Sequence, residues 1–295
     1  MSLTLGAGLA FAAAVCLTGQ ALTIRLATRE ATSTHVLVVV LLINVAVLTP
    51  LAVVVPDGPR LTPTAVVAFV AAGMVGTLLG RAFLYGGIKR IGATRAEPLK
   101  ASTPLHATIL AVLFLGEVVT PLQLVGIVLV VAGVAVVSWD GTARDAAVAG
   151  SVDWTGLAFP LLAAFFFAVE PILAKVGFGQ GTPVLVGLAV KTISAAAVFF
   201  AFLAARGDLP DRDAIAADFR WLVVAGVANT AFLLVYYAAL SVSRVSVVVP
   251  IMQTSPLLVA LAAAAFLQGV ERVTVPVVAG SAGVVVGAVL VTLFG

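Results

Sequence analysis

Ten apolar stretches, each about as long as a bilayer is thick, follow one another along this chain with only short polar breaks between them. They fall at roughly 3–25, 35–56, 63–86, 95–116, 121–139, 155–176, 183–205, 219–240, 246–268 and 274–294. A helix of about 20 residues crosses a hydrocarbon core of about 30 Å. Several stretches are rich in Val, a strand former in water, but lipid offers no partner to an open backbone group. A spanning segment must therefore close its own hydrogen bonds, as a helix does. The runs also lack the two-residue alternation of a barrel strand. Charged residues make up 10% of the 295 positions, against about 25% in a soluble domain. The expected fold class is an all-α membrane protein with ten transmembrane helices, set in a lipid bilayer and, by expectation, in the cell membrane.

The formal net charge of +3 is spread over the connections, with no basic patch of the kind that holds nucleic acid. Cys16 is the single cysteine, which excludes an internal disulfide and a cysteine-based metal cluster. The first apolar stretch has no basic residue ahead of it and reads as a retained helix rather than a leader.

The chain repeats itself. A shift of 152 positions lays Tyr85 on Tyr237, Pro98 on Pro250, Pro104 on Pro256 and Phe114 on Phe266. Beyond a two-residue insertion near Gln268 the shift becomes 154, and Glu117, Gly126 and Gly133 meet Glu271, Gly280 and Gly287. The expected organisation is a first five-helix repeat over 1–140, a linker over 141–153 and a second repeat over 154–295. Five crossings per copy is an odd number, so the second copy enters the membrane from the opposite side. Such inverted repeats place a solute near the bilayer midplane, between the copies. Lys and Arg gather in the odd-numbered connections, from Arg25 and Arg29 to Arg272, while the even-numbered ones hold Arg60, Lys175 and Arg244. That count places both termini outside the cytoplasm.

Ionisable groups inside a bilayer are costly, so they mark pathways, partners or snorkelling ends. Arg81 lies late in the third stretch and reads either as a snorkelling end or as a solute contact. Lys100 and Thr103 sit between Pro98 and Pro104, and Gln253 and Thr254 between Pro250 and Pro256. Prolines inside a membrane helix free backbone carbonyls and are tolerated where the broken helix lines a cavity. The symmetry would bring these two kinked segments face to face. Glu170, followed by Pro171, corresponds to Gln20 by a shift of 150. Its carboxylate reads either as a proton or cation site or as the partner of Lys191. Asn229 falls where Thr77 falls in the first copy, and Asn44 is a further polar group in an apolar run. Candidate solute contacts are thus Gln20, Arg81, Lys100, Thr103, Glu170, Lys191, Asn229, Gln253 and Thr254. Arg81, Lys100 and Lys191 against Glu170 favour a carboxylate- or phosphate-bearing solute. Gly76-x3-Gly80 and Gly283-x3-Gly287 read as close helix contacts, and Glu117 and Glu271 as caps of the helices that follow them.

No nucleophile elbow, phosphate-binding glycine loop or metal-ligand spacing is present in the sequence, so no enzyme, cofactor or ATP-driven pump is expected. Glu97-Pro98 through Pro104-Leu105, Phe114-Leu115-Gly116-Glu117, and Gly126 with Gly133, each with second-half partners, resemble the EamA family of the drug/metabolite transporter superfamily. The second copy departs from the pattern at Phe266-Leu267-Gln268-Gly269-Val270-Glu271, which lengthens its turn. The resemblance covers the whole chain. It implies a central cavity formed by helices 1 to 4 and 6 to 9, with helices 5 and 10 outside. It also implies a gradient-driven carrier of amino acids or other small metabolites, commonly an exporter. Members are usually drawn with cytoplasmic termini, against the charge count, so sidedness is left open. The alternatives are a proton-coupled exporter of cationic drug-like compounds through Glu170 and a membrane-embedded enzyme or non-transport partner protein. The sequence leaves the oligomeric state open.

Overall fold

The structure is a computed structural model and describes residues 2–27, 33–54, 61–142, 154–208, 219–266 and 275–295. Every regular element among these residues is helical. The first half holds α1 (Ser2–Ala27), α2 (Ser33–Val53), α3 (Pro63–Ala72), a π-helical segment (Gly73–Gly80), α4 (Arg81–Ile91), α5 (Ala93–Lys100), α6 (Thr103–Leu115) and α7 (Pro121–Thr142). The second holds α8 (Trp154–Gly179), α9 (Val184–Arg206), α10 (Phe219–Val242), α11 (Val245–Met252), α12 (Ser255–Phe266) and α13 (Val275–Phe294). Among the described residues, seven helices are long and apolar enough to cross a membrane, and Pro121–Val137, Val245–Val259 and Val278–Phe294 are shorter apolar helices.

The fourth and ninth apolar stretches of the sequence differ from simple rods. The fourth breaks at Ala101–Ser102 into α5 and α6, and the ninth breaks at Gln253–Thr254 into α11 and α12. Proline is the cause, because it lacks the N–H that would bond the carbonyl four residues back. Pro104 leaves Lys100 O without that donor, and the Thr103 hydroxyl supplies one at 2.7 Å. Pro256 stands at the second break, and Pro250, inside α11, leaves Ser246 O without its donor, so that this carbonyl receives Gln123 Nε2 from α7 at 3.3 Å. Gln123 is fully buried. Gly92, at φ 78°, makes the sharp turn between α4 and α5, in a conformation that a side chain would strain.

Large apolar side chains face outward over much of the surface. Leu113 and Phe114, each 71% exposed, would be a serious liability in water and are ordinary in lipid. The buried polar side chains, among them Gln20, Asn44, Thr103, Lys191 and Asn229, lie inside the bundle.

α1 packs on α10, α2 on α9 and α10, and the α3–π–α4 rod on α8. α7 and α13 pack chiefly on each other. A Cβ on Gly126 would lie 2.7 Å from Gly287 O, and one on Gly280 would lie 2.9 Å from Gly133 O. The two helices therefore run antiparallel in backbone contact, and each contact joins a residue to the repeat equivalent of its partner's counterpart. Gly287 makes a tight approach, whereas Gly283 meets nothing closer than Leu129 O at 3.7 Å. The expected Gly283-x3-Gly287 contact is thus carried by Gly280 and Gly287, seven residues apart.

Glu117 does not cap α7. Thr120 does, accepting Gln123 N at 3.1 Å. Glu117 instead reaches into the other half and accepts Val245 N at 2.8 Å, Ser246 N at 3.0 Å and the Ser246 hydroxyl at 2.6 Å, closing the orphan amides of α11. Glu271, expected to cap the last helix, lies outside the described residues. On the other side of the same connection, Lys175 donates to Leu240 O at 2.9 Å and Ser243 O at 3.0 Å, at the negative end of α10.

Candidate functional site

A cavity of about 370 Å³ lies within the bundle. Its walls come from α1, α2, the π segment, α4, α5, α6, α8, α9, α10 and the α11–α12 break, and neither α7 nor α13 contributes. Ile24, Leu37 and Tyr85 bring it near the ends of α1, α2 and α4 that lie away from the chain termini. The opposite end is where Glu117 and Lys175 hold the connection from α10 to α11.

One wall is an ion pair. Glu170 on α8 accepts the Lys191 ammonium from α9 and, at 3.0 Å, the hydroxyl of Tyr237 on α10. Lys191 also stands 4.7 Å from the centre of the Tyr237 ring, a cation–π contact. Lys191 is almost wholly buried and Glu170 keeps 12% of its side chain exposed. The carboxylate has room because the π segment presents no side chain to it. A Cβ on Gly76 would lie 2.8 Å from Glu170 Cβ, and one on Gly80 would lie 2.8 Å from the Phe167 ring. A π turn is wider than an α turn and is common at functional positions.

The facing wall is a chain of amides. The Thr230 hydroxyl donates to Asn44 Oδ1 at 2.8 Å, Asn44 Nδ2 to Asn229 Oδ1 at 2.9 Å, and Asn229 Nδ2 to Gln20 Oε1 at 3.0 Å. Every donor points the same way, so Gln20 ends the chain on the cavity wall with its amide N–H groups unused among the described residues. Such bonds between membrane helices are worth about 0.6–2 kcal/mol each.

The remaining candidates divide. Lys100 lines the cavity, but Glu97 pairs with it at 2.6 Å. Thr103 lines it with its hydroxyl committed to Lys100 O. Gln253 lines it with no side-chain partner among the described residues. Thr254 is buried outside the cavity wall, and its hydroxyl lacks a partner among the described residues. Arg81 lines the cavity and has neither a carboxylate nor a hydrogen-bond partner among the described residues. Of the four ionic groups weighed at the outset, Lys191 and Glu170 cancel and Lys100 is cancelled by Glu97, so the excess positive charge rests on Arg81.

Tyr85, Tyr236, Thr192 and Asn44 also line the cavity and were not among the nine candidates. Tyr237 joins the ion pair. The repeat did mark Tyr85 and Tyr237 as equivalent, and Asn44 stood out as a polar residue in an apolar run. Nothing local distinguishes Thr192 from a packing threonine.

An all-helical chain with apolar side chains outside and polar ones around an internal cavity is an integral membrane protein with a chamber sized for a small molecule. The model of the EamA-like transporter family matches residues 4–139 and again residues 154–293. The chain belongs to that family, within the drug/metabolite transporter superfamily, whose members are transporters and not enzymes. A solved crystal structure of a protein 18% identical to this one superposes with a TM-score of 0.79, covering 98% of this chain and 97% of that one, and shares its fold. No curated protein matches the sequence.

Proposed function

We propose that this protein is a gradient-driven exporter of a small polar metabolite that carries a carboxylate or phosphate, amino acids included, working by alternating access across the cell membrane. The observation that carries the reading is Arg81, a cavity-lining guanidinium with no anionic partner among the described residues while every other ionic group on the wall has one. A cation within the membrane is costly unless an anion meets it, and the solute would be that anion. The unused amide donors of Gln20 and Gln253 suit the same acceptor-rich group. Lys100, Thr103, Glu170, Lys191 and Asn229 shape and hold the site, and Thr254 stands behind the broken helix.

The reading includes ten spans in two inverted halves. The antiparallel, reciprocal contact of Gly126 with Gly287 and of Gly133 with Gly280 supports the inversion. Proton-coupled export of cations through Glu170 has less support, because Lys191 and Tyr237 already occupy that carboxylate. A coupling proton for the anion reading would act on the same pair.

In proteoliposomes the protein should carry radiolabelled amino acids or organic anions. Arg81→Gln should slow them about tenfold or more, as expected for loss of a charged hydrogen bond of about 1.5–3 kcal/mol. Transport of lipophilic cations in preference to anions, with Arg81→Gln as active as the wild type, would refute the proposal.

A further inference from the structure

A second space, of about 410 Å³, lies beside the first between α2, the π segment, α4 and α9. Apart from Thr34, Arg81 and Tyr85 its lining is apolar, with Leu78 and Ala82 on one side and Val198, Phe199 and Phe202 on the other. Leu37, Arg81 and Tyr85 line both spaces, so these three side chains form the partition between them. Phe202 is 50% exposed and Val198 41%, which places the outer side of this pocket toward lipid.

An apolar groove that merely accommodated an acyl chain of the bilayer would have no use for a guanidinium at its inner end. Here the unpaired cation sits where a polar chamber and an apolar one meet. That junction is complementary to a molecule with two unlike ends.

Building on the anion reading above, we propose that the solute is an amphiphilic anion, its charged head at Arg81 in the central cavity and its alkyl or aryl tail in the side pocket against Ala82, Val198 and Phe199. The head supplies the missing counter-charge. The tail fills a space within the usual range for small-ligand sites, about 300–1,000 Å³, and gains affinity in proportion to the apolar surface it buries. Tyr85, which lines both chambers, has an apolar ring suited to the tail and a hydroxyl suited to the head.

The test is titration calorimetry of the full chain in nanodiscs with straight-chain carboxylates from propionate to octanoate, with empty nanodiscs subtracting partition into lipid. In the wild type, affinity should rise about three- to fourfold per added methylene until the pocket is full. Ala82→Phe and Val198→Phe fill the pocket from opposite sides, and neither residue itself lines the central cavity. Each should flatten that rise while leaving propionate binding unchanged, and either one decides the matter if the other does not fold. Propionate binding without any rise, or a rise that persists in both variants, overturns the tail site and leaves the anion site standing. A persistent rise accompanied by loss of co-purifying phospholipid from the variants assigns the pocket to a bilayer lipid and likewise overturns it. Failure of every carboxylate to bind, short and long, overturns the anion reading itself.

Discussion

The carboxylate of Glu170 lies against bare backbone, and that closeness decides what the position of Gly76 tolerates. An added methyl would meet Glu170 Cβ at 2.8 Å, and a Cβ on the α8 helix cannot swing away as a chain end can. Gly76→Ala should therefore move α8 and loosen the bonds from Lys191 and Tyr237. Overpacking of this kind costs about 1–3 kcal/mol, so the variant should melt several degrees lower in detergent and transport at least about fivefold more slowly. An unchanged melting temperature and rate would show that the third rod yields freely at this point. The residue types at the site were legible in the sequence, since a charge in a 20-residue apolar run advertises itself. Their pairing was less so. Lys191 was one of two readings open for Glu170, and the partner of Lys100 was missed although Glu97 stands one turn before it. A carboxylate in the polar entry of a helix looks like an end group until the chain is folded.

At the level of helices, Pro104 and Pro256 stand at the two breaks, and the carbonyls orphaned by Pro104 and Pro250 are recovered by different means. Thr103 serves Lys100 O from within its own helix, while Gln123 serves Ser246 O from a neighbouring one. Leaving a buried acceptor unpaired costs about 1–3 kcal/mol. Thr103→Val should lose about that much stability, and Thr103→Val combined with Pro104→Ala should regain most of it, because alanine restores the missing N–H. Thermal unfolding of the two variants checks this, and equal destabilisation of both would show that the hydroxyl serves something other than the carbonyl. The positions of the breaks followed from Pro98, Pro104, Pro250 and Pro256 in the sequence, as did the apolar extent of each helix. The π segment did not. Its glycines read equally well as a packing motif, and only the presence of Glu170 and Phe167 opposite them explains the wider turn. The partner of Glu117 was hidden for a similar reason. Local capping rules point to α7, whereas the orphan amides of α11 come within reach only after the two halves meet.

Considered as a whole, the molecule is held shut at one end. Glu117 of the first half holds the start of α11, and Lys175 holds the end of α10. In the alternating-access reading, opening that end would require these bonds to give way, so Glu117→Gln should shift the population toward the state open there. A glutamine keeps one acceptor oxygen where the carboxylate uses two, so the bonds to one of Val245 and Ser246 are lost and those that remain are about half as strong. In a Cys16→Ser background, Ser243→Cys should then react with a water-soluble maleimide about tenfold faster when Glu117→Gln is added. Equal labelling rates would mean that the clamp is an ornament of one conformation and not its lock.

The glycine seam between α7 and α13 behaves differently. Shifting the contact of Gly126 with Gly287 by one repeat turns it into the contact of Gly280 with Gly133, which is the same seam. In the alternating-access reading, a motion in which the two halves trade conformations would map this contact onto itself. On that reading the outer helix pair would stay still while the helices around the cavity rearrange, an axle on which the halves would turn.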